Sequence, residues 1–145
     1  MTLPLGGCSV NARDILPRMP MAQQISVFLE NRPGRLGALC EVLADQGINI
    51  QAIMVPSGTD YGIVHVIVDR HEEALRGLEE RGYRTYTSRV LDVTLDDHPG
   101  ALARLADHLA ENDIDIKYAY SAIGERGRLI LSVSDAERAS ELLDS

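Results

Sequence analysis

The sequence predicts an α+β fold made of two tandem βαββαβ units. Three observations point there. A motif recurs at a constant offset of 66 residues, short runs alternate apolar and polar with period two, and apolar stripes at helical spacing lie between those runs. A chain of 145 residues fits one medium domain or two very small ones. A unit of about 60 residues buries only roughly 60% of its unfolded surface, so two such units have reason to pack on each other or on a second chain.

The first copy reads element by element. Ile25, Val27 and Leu29 alternate with Ser26, Phe28 and Glu30, the period of a half-buried strand. Pro33 is placed in the first turn of a helix whose stripe is Leu36, Leu39, Cys40 and Leu43, and Gly47 ends it. Residues 48–55 form a second strand, Ser57-Gly58 a turn, and 61–68 a third strand that is apolar on both faces. Asp69 with Glu72 is a capping-box pattern for a second helix closing near Gly82, and residues 83–87 make a fourth strand. The order βαββαβ implies an antiparallel sheet with two helices on one face.

The second copy repeats this. Pro33 matches Pro99, Gly34 Gly100, Leu36 Leu102, Leu43 Leu109, Ile48 Ile114 and Asp69 Asp135, with no gap. Strands are expected at 91–96, 114–121 and 129–133, a hairpin at 124–127, and helices at 99–111 and 135–143. The chain then ends at the counterpart of residue 79, leaving the fourth strand without a copy and residues 91–96 as a sheet edge in need of cover. That cover is expected from segment 8–10, from 83–87 or from a neighbouring chain. Domain boundaries follow: a loose extension over 1–23, one unit over 24–88 and a second, truncated at its C-terminus, over 89–145.

Composition excludes several classes. A net charge of −8 and a pI near 4.9 have the wrong sign for neutralising phosphates, so no nucleic acid is expected as partner. Cys8 and Cys40 form no CxxC or Cys/His cluster, so neither metal nor cofactor is expected. Cys40 reads as a small buried apolar residue. The longest apolar runs are too short to span a bilayer, and Leu5-Gly6-Gly7-Cys8 lacks the basic start and apolar stretch of a lipoprotein signal. A cytoplasmic protein without a membrane partner is the default. His65 reads as a satisfied structural histidine. His71 and His108 read as solvated, and His98 stands out only by falling in the Pro-Gly loop.

The segments Asn31-Arg-Pro-Gly-Arg-Leu36 and Gly47-Ile-Asn-Ile50, joined by the leucine-rich helix, resemble the signature of ACT domains. Asp97-His-Pro-Gly-Ala-Leu102 through Asp113-Ile-Asp-Ile116 resembles a second, slightly degraded one. The likeness covers about 24–145 and is to small proteins made of tandem ACT domains. It implies a ferredoxin-like fold, regulatory binding of amino acids, and domains paired edge to edge. Asp113 in place of Gly47 and the missing last strand depart from the pattern.

Because βαββαβ layouts host unrelated functions, the residues must decide. Base-stacking aromatics are missing from 61–68 and 129–133, which argues against an RNA-recognition module. Loop 31–34 has no CxxC for a heavy metal. A phosphate-cradling hydrolase could use Arg32 and Asn49, but Arg32 becomes His98 in the second copy. The expected role is therefore non-enzymatic. The two Pro-Gly loops carry the best functional signal, since the first N–H groups of a helix lack internal partners and suit a carboxylate. The candidate ligand residues are Asn31, Arg32, Pro33, Gly34, Arg35 and Leu36 with Asn49 and Ile50, and Asp97, His98, Pro99, Gly100, Ala101 and Leu102 with Asp115. The expected ligand is a small amino acid at a domain interface, and the expected assembly is a homodimer whose open sheet faces cover one another. The rival reading is a structural or protein-interaction module that assembles through its sheets with no ligand.

Overall fold

The computed structural model describes residues 21–56 and 61–144. The turn expected at Ser57-Gly58, the extension before Met21 and its segment 8–10 lie outside the described residues. Among the described residues the order is β1 (Met21–Glu30), α1 (Arg35–Asp45), β2 (Ile50–Met54), β3 (Tyr61–Val68), α2 (His71–Glu80), β4 (Thr85–Thr94), α3 (Ala101–Glu111), β5 (Ile116–Ser121), β6 (Arg128–Val133) and α4 (Ala136–Asp144). The chain divides into two compact units. The first is Gln23–Ser88; the second runs from Arg89 onward and includes Met21 and Ala22. Two strands expected separately, at 83–87 and 91–96, are one continuous β4 that leaves the first unit and enters the second.

In the first unit the strand order is β2-β3-β1-β4. β1 runs antiparallel to β3 with Val27 opposite Val64, and Phe28 donates its N–H to the Arg84 carbonyl at 3.0 Å. Alternation puts Ile25, Val27, Leu29, Val64, Val66 and Val68 on one face, where they close over Leu39, Val42 and Leu43 of α1 and Ala74 and Leu78 of α2. Each fully buried aliphatic side chain there contributes about 1.5–3 kcal/mol. The helices approach closely because residue 77 is glycine: the Gln46 side chain occupies the space a Cβ would need. On the opposite face Gln24, Ser26, His65 and Ile67 are already buried within a single chain. Phe28 stays 40% exposed on that face.

In the second unit β6 lies between β4 and β5. Leu91, Val93, Leu131 and Val133 meet Leu105 and Leu109 of α3 and Ala136 and Ala139 of α4. Of the covers expected for residues 91–96, segment 8–10 lies outside the described residues, and 83–87 turns out to belong to the same strand. β4 is flanked by β1 as well as β6, the first two residues of β1 fold with this unit, and Met21 packs on its core.

The structure corrects several expectations. The offset of 66 holds only through the first three elements of each copy. Val27 faces Val64 while Val93 faces Leu129, so the third strands match at an offset of 65 and the second hairpin is one residue shorter. Asp69 therefore corresponds to Ser134 rather than Asp135. The capping box of Asp69 and Glu72 does not form. Arg70 is the N-cap of α2, no side chain caps the helix, and Asp69 Oδ1 instead accepts the Asn49 N–H at 3.1 Å. Ser134 Oγ does the same for the Asp115 N–H at 2.9 Å. Asp135 caps α4 by accepting the Arg138 N–H at 3.1 Å. Pro33 precedes the helix rather than sitting in its first turn, since Gly34 is the N-cap, and β2 starts at Ile50 rather than 48. Leu36 is exposed and Cys40 only half-buried. His71 is half-buried too, its Nε2 3.3 Å from the Thr87 hydroxyl oxygen.

Candidate ligand-binding loops

Each unit carries a recess at the same place, where the first strand leaves the sheet. In the first unit the walls are Leu29, Leu36, Val55, Pro56, Gly62 and Val64, the rim is Glu30, Asn31 and Arg32, and the volume is about 70 Å³. In the second the walls are Leu95, Ala101, Leu102, Ser121, Gly127 and Leu129, with Asp96, Asp97, His98 and Arg128, and about 250 Å³. A larger groove of about 520 Å³ runs along another side of α1 past Phe28, Glu41, Asp45, Arg81 and Tyr83. Arg35 borders it, but no other candidate ligand residue does.

The helix entries explain the recesses. Gly34 and Gly100 are the N-caps of α1 and α3, with φ of 87° and 92°, and neither helix receives a side-chain cap. Such left-handed backbone is strained for any residue with a Cβ. The turn tightens through Arg35 N–H to Arg32 O at 3.2 Å, and the helix begins with Ala38 N–H to Gly34 O at 3.0 Å. No neighbouring atom lies within 4 Å of where a Cβ on Gly34 would stand, so the main chain is open to a ligand. Over Gly100 the Arg104 guanidinium fills that space, its Nη2 3.4 Å from His98 Nδ1. The counterpart of Arg104 in the first copy is Ala38, which cannot reach.

Charge at the first loop is largely self-balanced. Glu30 is 3.3 Å from both Arg32 and Arg35 in exposed ion pairs, each worth at most about 1 kcal/mol. In the second loop Asp97 pairs with Arg126. Beneath it Arg128 grips Asp92 in a bidentate bridge, Nε to Oδ1 at 2.8 Å and Nη2 to Oδ2 at 2.6 Å, both side chains about nine-tenths buried. That bond, more than any other cause, holds the Arg128 guanidinium above its ordinary pKa. Burial pushes Tyr120 well up, helped by Tyr118 and Asp92. Burial also raises the Cys40 thiol, which leaves little reactive thiolate at neutral pH. Among the described residues no group of three or more His, Cys, Asp or Glu is placed to hold a metal ion, and no helix is long and apolar enough to cross a membrane.

Within each unit the loop residues of the candidate set come together, but Asn49, Ile50 and Asp115 do not join them. Glu30 faces Tyr61 at one end of β3 and Ile50 faces Val68 at the other, roughly 20 Å away at strand rise. Sequence reasoning missed the far wall of the first recess: Val55, Pro56, Gly62 and Val64. Pro56 ending one strand and Gly62 opening the next was the available signal.

Known proteins resemble this chain in sequence and fold. Residues 20–144 match the family model described as an ACT domain pair. The solved structure of protein BT0572 from Bacteroides thetaiotaomicron is 31% identical, with 85% of this chain and 86% of that chain covered and a TM-score of 0.79. The regulatory subunit of aspartate kinase from Thermus thermophilus, in its ligand-free form, is 20% identical over 93% of this chain and 94% of that one, with a TM-score of 0.66. Its counterpart from Thermus flavus is 16% identical over 90% and 94%, with a TM-score of 0.62. These two share the fold. No curated protein matches the sequence. With its two ferredoxin-like repeats, the second without a final strand among the described residues, and a family match over residues 20–144, the chain belongs to the ACT domain pair family.

Proposed function

We propose that this protein is a non-catalytic regulatory module of the cytoplasm that binds a small amino acid at the loop from Asn31 to Leu36. The family and the fold shared with aspartate kinase regulatory subunits support a regulatory, ligand-binding role. The observation that carries the choice of loop is Gly34: a left-handed, uncapped helix entry with open space above it, beside an apolar recess. A carboxylate there would meet the Leu36 N–H at the start of α1, the Arg35 N–H being given already to the Arg32 carbonyl. That contact is worth about 0.3–1 kcal/mol when exposed and up to about 2 kcal/mol when partly buried. Millimolar affinity needs roughly 4 kcal/mol, so the ammonium group and side chain must contribute as well. Main-chain carbonyls of β2 in a second copy of the chain are the acceptors this reading favours, which makes the working assembly a homodimer. The exposed aromatic pair Phe28 and Tyr86, ring centroids 6.2 Å apart, supports association through that face.

The test is a thermal-shift screen against the twenty amino acids, followed by calorimetry on Gly34→Asp. The variant adds bulk and negative charge where the carboxylate would sit. It should lose affinity at least tenfold and keep a folded circular dichroism spectrum. Equal affinity in both proteins would remove this loop as the site. No shift with any amino acid would favour an interaction module instead.

A further inference from the structure

We infer that the ligand of the first loop is an amino acid with a small aliphatic side chain, held in the recess between Leu36 and Gly62. The inference rests on the reading of loop 31–36 as an amino-acid site and specifies which class of amino acid it takes. The recess is small, about 70 Å³, and six of its nine lining residues are Leu29, Leu36, Val55, Pro56, Gly62 and Val64. These supply carbon and no side-chain hydrogen-bonding group. Its charged rim residues Glu30 and Arg32 lie 3.3 Å apart and satisfy one another. A cationic or anionic side chain entering would give up its water for walls that offer no counter-charge.

The recess is also placed to receive a side chain while the backbone of the ligand meets the helix entry. Leu36, whose N–H is among the first of α1, lines it, as do Asn31 and Arg32 of the same loop. The floor is firm: Leu29 and Val64 are 8% and 2% exposed. Val55, by contrast, is 52% exposed and reads as an apolar wall with no core to serve. Gly62 makes the space. A Cβ built there would meet nothing nearer than Pro56 Cγ at 3.6 Å, an ordinary contact, so the glycine is not demanded by packing. The second recess has lost this character. Arg128 and Asp96 border it, and its volume of about 250 Å³ is several times larger.

The experiment is isothermal titration of the full chain with glycine, alanine, valine, leucine, isoleucine, threonine, lysine and aspartate, repeated with Gly62→Ala and Val55→Asn. Affinity should rise about fourfold for each methylene that fits, from glycine to the branched aliphatics. Lysine and aspartate should give no heat. Gly62→Ala should cost leucine and isoleucine at least tenfold while sparing alanine. Val55→Asn, on an exposed side chain that the fold does not need, should weaken every aliphatic ligand. If lysine, aspartate or threonine bound best, with Gly34→Asp abolishing it, the inference would fail and the amino-acid site would stand. If none bound, both would fall. Unchanged leucine affinity in a folded Gly62→Ala would also overturn the inference.

Discussion

The two units use nearly the same main chain and different side chains to hold it. In the first, Gly47 follows α1 with φ 71°; in the second, Asp113 takes the same left-handed turn at φ 60°. The N–H that opens the second strand of each unit is held by a carboxylate in one and a hydroxyl in the other, Asp69 and Ser134. The contrast is largest on the sheet face away from the helices. The first unit buries Gln24, Ser26 and His65, with His65 Nδ1 2.8 Å from the Ser26 hydroxyl and 3.2 Å from Gln24 Nε2. The second buries the ion pair of Asp92, which corresponds to Ser26, and Arg128. Backbone geometry thus survives exchanges that rewrite local chemistry, because any group with a matching donor or acceptor closes the same gap. The loops show where that tolerance ends: Ala38 against Arg104 decides whether the helix entry is open or roofed.

The ion pair offers the largest way to break the comparison. Arg128→Ala leaves a buried carboxylate without its partner, which should cost about 3–5 kcal/mol. Urea titration should show the second unit unfolding first. Replacing Asp92 and Arg128 together with apolar residues should recover most of the loss, and failure to recover would show that the pair fixes the register of β4 on β6.

Gly127→Ala comes next. Its φ is 79°, and a Cβ would stand 2.5 Å from the Leu95 carbonyl oxygen. A loss of roughly 2–3 kcal/mol is expected from strain and displaced backbone. Gly62→Ala, at the matching place in the first unit, should cost well under 1 kcal/mol. Equal costs would mean the recesses are less different than they look.

His65→Leu removes the partner of a buried hydroxyl and should cost about 1–2 kcal/mol. Burial holds the His65 pKa below its ordinary value of 6.5, so the folded state prefers the neutral ring. Unfolded chains then bind the proton better. Stability is fully present above about pH 6.5 and falls as the pH drops from there toward the folded pKa. Thermal melts between pH 8 and 5 should show that decline for the wild type, and a smaller one for His65→Leu.

The smallest effect is a gain. Asp113→Gly relieves left-handed strain of at most about 1–2 kcal/mol, offset by about 0.4–1 kcal/mol of entropy that glycine brings to the unfolded chain, so a net gain under about 1 kcal/mol is expected. A loss in chemical denaturation would mean the Asp113 side chain does something that its backbone angle does not reveal.

Much of this was legible in the residues. The repeat, the alternation in residues 25–29 and the glycine-marked helix entries all depend on neighbours along the chain. The shortened hairpin was not legible, because the motif residues that align the copies all precede it and Asp69 matches Asp135 by accident. Nor was the full length of β1. Gln23 and Gln24 carry no apolar period, yet Gln24 is completely buried and Met21 packs on the second core. At the candidate site the loop itself was visible, but its far wall was not. Val55, Pro56 and Gly62 are brought to Leu36 by strand pairing, and no local pattern encodes that.

The sequence by itself determined the repeated strand–helix pattern and the presence of a helix after each Pro-Gly loop, since these are set by periodicity and backbone preference within a few residues, and its motifs carried the resemblance to the family. Only the tertiary structure decided that β4 is one strand serving both units, that Asp69 ties down Asn49 instead of capping a helix, and that Gly34 lies open while Gly100 is covered. Each of those outcomes depends on which groups from distant parts of the chain arrive within hydrogen-bond or van der Waals reach, and that is settled by how the sheet pairs and the helices pack.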